Sequence, residues 1–301
     1  MRLILLFLLL SLGADAQIIR ANPFYRPTAY ATGNLLLDNY PNAVIAYSLR
    51  KLDKDYTGSA IRVRKDTTGQ PEQDIGFTAN GDLDTAALKT FLNARSGFVT
   101  TWYNQADSAG IFGVKNATQT TALNQARIAL LGVIDRQGTR PCVLFDGAND
   151  KYLFNEFAAD TIYNIFYAVK RNSTTTRAPY FTTRLAGSLF SHWSDNNLYI
   201  QYKSVATWYF KAVNSTSTAF NLYEGFTGGG QNQKVYLNNS ELTLGARSTF
   251  TSNNANWGAI GFYNSSNVPA GTASEMILYQ SDQQTNRSGI TSNINTYYSI
   301  Y

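Results

Sequence analysis

Ala46-Tyr47-Ser48-Leu49-Arg50-Lys51-Leu52, then Tyr56-Thr57-Gly58-Ser59-Ala60-Ile61-Arg62-Val63-Arg64, then Thr100-Thr101-Trp102-Tyr103-Asn104-Gln105, is the stretch whose reading decides the fold. Ala60 to Lys65 alternates apolar and basic residues, the period of a half-buried strand. On that strand Ile61 and Val63 face a core, and Arg62 and Arg64 face solvent. Phe98 to Tyr103 is β-branched and aromatic and reads as another strand. Between them Asp82 is placed to cap a helix over Leu83 to Asn93, whose Leu83, Ala86, Ala87, Leu88, Phe91 and Leu92 share a face. The dense apolar positions from Asn42 to Leu52 predict a short helix.

Beyond Pro141 the chain becomes a succession of short strands. Cys142-Val143-Leu144-Phe145 is the first, ended by the turn signal Asp146-Gly147-Ala148-Asn149-Asp150. Further strands are expected over 164–170, 187–192, 198–202, 207–212, 220–226, 234–237, 259–263 and 275–279. Ser194-Asp195-Asn196-Asn197, Gly228-Gly229-Gly230 and Asn238-Asn239 separate some of them. Many short strands at such spacing indicate an all-β sandwich or jelly roll with a few short helices. The last helix is predicted within 282–298, where Ile290, Ile294 and Tyr297 fall at helical spacing.

Residues 1–16 read as an export signal. Arg2 supplies the positive charge, Leu3 to Leu12 the apolar run, and Ala14-Asp15-Ala16 the cleavage site. That run is too short to span a bilayer and no second one follows, so no membrane span is expected. The address is secreted, extracellular or cell-surface. Residues 17–41, punctuated by Pro23, Pro27 and Pro41, read as an extended arm, and 42–301 as the sandwich. The lone Cys142 excludes an intrachain disulfide, and the lone His192 excludes multi-histidine metal sites. The net charge of +5 is spread along the chain, which argues against nucleic acid as a partner.

The opening blocks, over residues 42–154, resemble the catalytic domain of alpha-L-arabinofuranosidase B, a concanavalin A-like β-sandwich that acts on plant polysaccharide. A second resemblance covers 140–301. Phe166-Tyr167-Ala168-Val169-Lys170-Arg171, Lys234-Val235-Tyr236-Leu237-Asn238-Asn239 and Ser274-Glu275-Met276-Ile277-Leu278-Tyr279 look like laminin G-like, concanavalin A-like lectin modules. Such modules occur in secreted Bacteroidota proteins and in phage fibres, where they bind carbohydrate or adorn the virion. Both resemblances imply the same kind of sandwich. An arabinofuranosidase-like part (42–150) and a laminin G-like part (151–301) therefore make either one continuous domain or two.

Glycoside hydrolysis generally needs two carboxyl groups flanking the scissile bond. In the arabinofuranosidases the nucleophile follows a Cys-Cys pair in an acidic stretch, soon after the strand matching Phe166 to Lys170. Here the corresponding residues, Arg171 to Tyr180, contain no cysteine, Asp or Glu. The family's Tyr-Asp-Gln block has become Tyr103-Asn104-Gln105. The Glu-x-Asp-x-Glu strand of related sandwich glucanases does not occur, and Glu275 reads as structural.

Carbohydrate binding or adhesion without catalysis is thus the expectation, with a glycan or polysaccharide as partner. The candidate binding residues are Trp193, Asp195, Asn197, Trp208, Tyr209, Asn256 and Trp257, as stacking platforms with polar neighbours. Each Trp could instead serve the core. No cofactor is expected. Asp146–Asp150 and Asp195–Asn197 offer oxygens of the kind calcium takes, although turn chemistry accounts for both. Two alternatives stand beside this one. The first is a glycoside hydrolase of arabinofuranosidase type with relocated acids. The second is an assembly protein, a phage fibre or surface component, whose arm serves contacts in a homo-oligomer at the virion or cell surface.

Overall fold

A computed structural model describes residues 35–106, 115–158, 162–182, 190–192, 198–201, 208–211, 218–228, 232–245, 256–261 and 269–301. The strands of the first part are β1 (Ile45–Ser48), β2 (Ile61–Lys65), β3 (Glu72–Ile75), β4 (Gly97–Trp102), β5 (Ala117–Thr118), β6 (Arg127–Leu130), β7 (Val133–Ile134), β8 (Arg136–Gln137), β9 (Arg140–Pro141) and β10 (Val143–Asp146). They continue as β11 (Tyr152–Ala158), β12 (Ile162–Arg171), β13 (Phe181–Thr182), β14 (Phe190–His192), β15 (Leu198–Gln201) and β16 (Trp208–Lys211). The last are β17 (Asn221–Gly228), β18 (Gln233–Leu237), β19 (Ser240–Leu242), β20 (Asn256–Ile260) and β21 (Ala270–Tyr279). Among the described residues, three α-helices join them: α1 (Leu36–Asn39), α2 (Thr85–Leu92) and α3 (Arg287–Tyr298).

Sixteen strands form one antiparallel network in the order β13-β20-β11-β5-β4-β6-β10-β21-β12-β17-β18-β19, with β1 on β21, β2 on β4, β3 on β2 and β7 on β6 as branches. The fold is the expected all-β sandwich. Its central member is β21, buried at every position. One edge of β21 pairs with β12; along the other, β1 meets Glu275 to Leu278 and β10 meets Ala270 to Ala273. Strands from before and after residue 150 therefore share one sheet.

Both faces of β12 and β21 are covered, and their side chains divide by strand period. Tyr163, Ile165, Tyr167 and Val169 enter the main core; Phe166 and Ala168 enter a second core with α1 and α3. A register slip opposite Ala168 and Val169 puts an extra residue, Ser274, into β21. It lets Ala273 and Met276 point into the same main core. Helix α3 closes the second core by burying Ile290 and Ile294, each contributing about 1.5–3 kcal/mol of apolar burial. Glu275 anchors the same helix. Its carboxylate takes two bonds from the buried Arg50 guanidinium (2.8 and 2.9 Å) and one from Ser48 Oγ (2.7 Å), with Tyr298 Oη at 3.3 Å. That is a structural role, as the sequence indicated.

Three local expectations change. The apolar run after Asn42 is strand β1, buried on both faces, rather than a helix; continuous apolar sequence fits a doubly covered strand as well as a helix turn. Helix α2 is capped by Asp84, whose Oδ1 accepts from Ala87 N at 2.9 Å, and not by Asp82. Asp82 instead holds Arg140 (2.9 Å) and Tyr297 Oη (2.6 Å). Arg64 is buried, with its guanidinium 4.7 Å from the Phe98 ring and Nε donating to Gln125 at 2.6 Å. A slip in the β2–β4 register between Arg62 and Val63 accompanies that departure from simple alternation.

Candidate functional site

The opening blocks build a cleft of about 400 Å³ lined by Asp53, Asp55–Gly58, Tyr103–Ala106, Lys115 and Asn116. One wall is the loop between β1 and β2. Asp53 turns it by accepting Asp55 N on Oδ1 at 2.7 Å. Tyr56 folds back so that its hydroxyl donates to Ser59 O at 2.9 Å, and its ring meets Phe77 edge-on at 6.4 Å. Gly58 makes that fold possible, because a Cβ there would lie 2.5 Å from Tyr56 Oη.

The opposite wall is the exit from β4. Tyr103 is half-buried and its hydroxyl donates to Asp74 Oδ1 at 2.7 Å; Asp74 is also gripped by Arg62 through two bonds of 2.8 and 2.7 Å. The hydrogen bond from Arg62 holds the Asp74 carboxyl below its ordinary range. Burial, then the neighbouring Asp74, pushes the Tyr103 phenol up to about 12, and burial does the same for Tyr56. Both phenols keep their protons at neutral pH. Burial lowers the Lys115 ammonium, which sits 5.2 Å from the Phe157 ring.

Asn104 and Gln105 hold this wall in place. Asn104 Oδ1 accepts Ala46 N (2.7 Å) and Ala106 N (3.2 Å), while Nδ2 donates to Val44 O at 3.2 Å. An amide supplies an acceptor oxygen and a donor nitrogen side by side, which an ionised carboxylate does not, so the position that is acidic in the arabinofuranosidase block is a strut here. Gln105 is fully buried and ties Leu52 N, Ser48 O and Arg50 O. Asn116 Oδ1 accepts Asn104 N at 3.0 Å. The cleft thus presents two aromatic rings with polar edges, the amides of Asn104 and Asn116 and two carboxylates, while Lys115 and Gln105 are buried in its lining. Such a set suits a small polyhydroxylated ligand.

A second groove of about 450 Å³ lies toward the other end of β4, lined by Arg64, Phe98, Leu123, Gln125, Arg127 and Asp150 among others. Asp150 is 3% exposed and accepts Asp146 N at 2.7 Å. Burial foremost, with the nearby Asp146 carboxylate adding to it, lifts its carboxyl to about 7. Asp146 Oδ1 accepts Ala148 N at 2.7 Å, the turn chemistry expected of this segment. Among the described residues, no three His, Cys, Asp or Glu side chains are grouped as metal ligands. Residues 171–176, where the arabinofuranosidase nucleophile segment would fall, form a hydroxyl-rich turn in which Ser173 N donates to Thr176 Oγ1.

Of the residues picked from sequence, Trp193, Asp195 and Asn197 lie outside the described residues. Trp208 and Tyr209 begin β16, opposite Gln201 and Ile200 in a separate three-stranded sheet. Asn256 is exposed at the start of β20. Trp257 is a correction. It is fully buried, edge-to-face with Tyr163 (5.4 Å) and Phe181 (6.1 Å), and its ring offers no surface to a ligand. Sequence reasoning did not single out Tyr56 and Tyr103 as binding residues. The available signals were the Thr57-Gly58 turn after Tyr56 and the amide pair after Tyr103.

No protein-family model matches the chain, and no curated protein does. Solved structures do. An arabinofuranosidase complexed with arabinofuranosyl-alpha-1,2-xylobiose superposes with a TM-score of 0.58 at 15% identity, over 86% of this chain and 63% of that one. In fold, the chain is similar to an arabinofuranosidase. A GH54 α-L-arabinofuranosidase soaked with a cyclic sulfate inhibitor gives the same score and coverage at 14% identity. The chain spans less than two thirds of the length of these arabinofuranosidases. Trypanosoma rangeli sialidase is more distant, with a TM-score of 0.42.

Proposed function

We propose that this chain is a secreted carbohydrate-binding domain on an arabinofuranosidase-like sandwich, and that the Tyr56–Tyr103 cleft receives a neutral sugar without cleaving it. The carrying observation is the make-up of the cleft. Two protonated tyrosines are fixed by hydrogen bonds to Ser59 and Asp74, beside Asn116 and Lys115. Rings held in this way offer stacking area at low entropic cost. The cleft's acids, Asp53 and Asp55, share one loop and one wall, whereas hydrolysis needs carboxyls on both sides of the bond.

The hydrolase alternative draws support from Asp150 and Asp146, one carboxyl titrating near 7 next to another. The two occupy a single turn and are joined through Asp146 N, which leaves no space between them for a glycosidic bond. Binding therefore accounts for the geometry better than hydrolysis. Calorimetric titration with arabinan, arabinoxylan and other neutral oligosaccharides tests the proposal, run alongside an aryl arabinofuranoside release assay. Saturable binding with no turnover is expected. Turnover abolished by one Asp→Asn change would replace binding with catalysis.

A further inference from the structure

The described surface concentrates large exposed apolar side chains at one corner. Leu130 (47% exposed), Leu131 (68%) and Val133 (71%) form the β6–β7 hairpin tip, and Leu123 (80%) stands across the second groove from Leu130. Scattered single apolar residues need no explanation, but a contiguous cluster does. The turn is two residues long, Leu131 and Gly132, with φ of 48° and 80°. Positive φ at both central positions defines a turn that Asn-Gly fills without strain, and a leucine there is strained. Leu131 is therefore unfavourable twice over, in backbone conformation and in exposure. Neither cost serves the fold.

The tip is rigid. Gly132 N donates to Arg95 O at 2.9 Å and Leu131 N to Ser96 Oγ at 3.1 Å. A Cβ on Gly132 would come within 2.9 Å of Ala94 Cα, so hairpin and α2 are locked together. The two segments that meet at the tip carry the exposed Lys89, Arg95 and Arg136. Two acids stand near: Asp135, which Arg127 neutralises through two bonds of 2.8 Å, and the exposed Asp66, whose N donates to Ser96 O and whose carboxylate pairs with Arg64 at 3.6 Å.

We propose that this hairpin is a membrane-docking tip, with Leu130, Leu131 and Val133 entering the interface of an anionic bilayer while Lys89, Arg95 and Arg136 meet its headgroups. A hairpin tip that exposes apolar side chains beside cationic ones matches a deformable anionic surface.

The test uses the full chain and sedimentation with phosphatidylglycerol-containing vesicles, compared with pure phosphatidylcholine. Binding to the anionic vesicles that weakens with salt is expected. Leu131→Asn with Val133→Ser should lower it about tenfold. The single Leu131→Asn change should raise the melting temperature, because Asn accepts positive φ; a merely structural leucine would lower it. Arg95→Gln should weaken binding without affecting folding. The proposal is overturned if anionic vesicles fail to sediment the chain at low salt. Binding that the double change leaves intact also overturns it, as does a tip-dependent dimer in solution without vesicle binding.

Discussion

Glu224 lies on β17 facing the start of α3, 1% exposed, and burial lifts its carboxyl to about 8 from an ordinary 4.5. Asn164 Nδ2 and Gln284 Nε2 donate to Oε1 at 3.1 and 3.2 Å, and Arg287 Nη1 stands 3.5 Å from Oε2. These partners favour the ionised form, but desolvation outweighs them. Because the folded value exceeds the unfolded one, the folded state binds the proton more tightly. The resulting stability is complete below 4.5 and is lost as the pH rises through 8. At 1.36 kcal/mol per pKa unit the whole effect is on the order of 5 kcal/mol, spread across that window. Urea denaturation at intervals from about pH 5 to pH 9 measures it. Asp150 adds a slope of the same sign, since its carboxyl is also raised, so the informative quantity is the difference between wild type and Glu224→Gln. The variant should lose stability with pH much less steeply. Parallel profiles for the two proteins would refute the assignment.

Glu275→Ala would leave the buried Arg50 guanidinium without its carboxylate and should destabilise by about 3–5 kcal/mol, read by denaturant midpoint. Asn104→Asp would set two acceptors face to face at the Val44 carbonyl. It should cost about 1–2 kcal/mol and yield no release from an aryl arabinofuranoside; a gain of turnover would show that the lost acid was catalytic. Gly58→Ala should displace the Tyr56 ring, weakening glycan affinity while leaving the melting temperature nearly unchanged. Unaltered affinity would remove Tyr56 from the site.

Period and turn chemistry made most of the architecture legible. β4, β10, β12 and β15–β18 lie close to where alternation and β-branched content placed them, and α3 turns Ile290 and Ile294 inward as their spacing required. The failures share a cause, which is tertiary context. β1 is a strand because β21 lies beside it and both its faces are covered, facts absent from an apolar run read alone. Arg64 is buried because Phe98 and Gln125, distant in sequence, supply a ring and an acceptor. Trp257 is core because Tyr163 and Phe181, distant in sequence, pack edge-to-face against it. The cleft likewise depends on tertiary context. Tyr56 and Tyr103 stand on separate loops, and the pairing of β2 with β4 brings those loops together.

Calorimetric titration of wild type and Tyr103→Ala with a panel of neutral oligosaccharides tests the sugar-binding cleft most directly. Tyr103 is half-exposed, so its removal should spare the fold, while losing a stacked ring worth about 0.5–1.5 kcal/mol should weaken binding up to about tenfold. Saturable binding to at least one glycan, reduced by that amount in a folded variant, is the predicted result. No binding across the panel, or binding that Tyr103→Ala leaves unchanged, would contradict it.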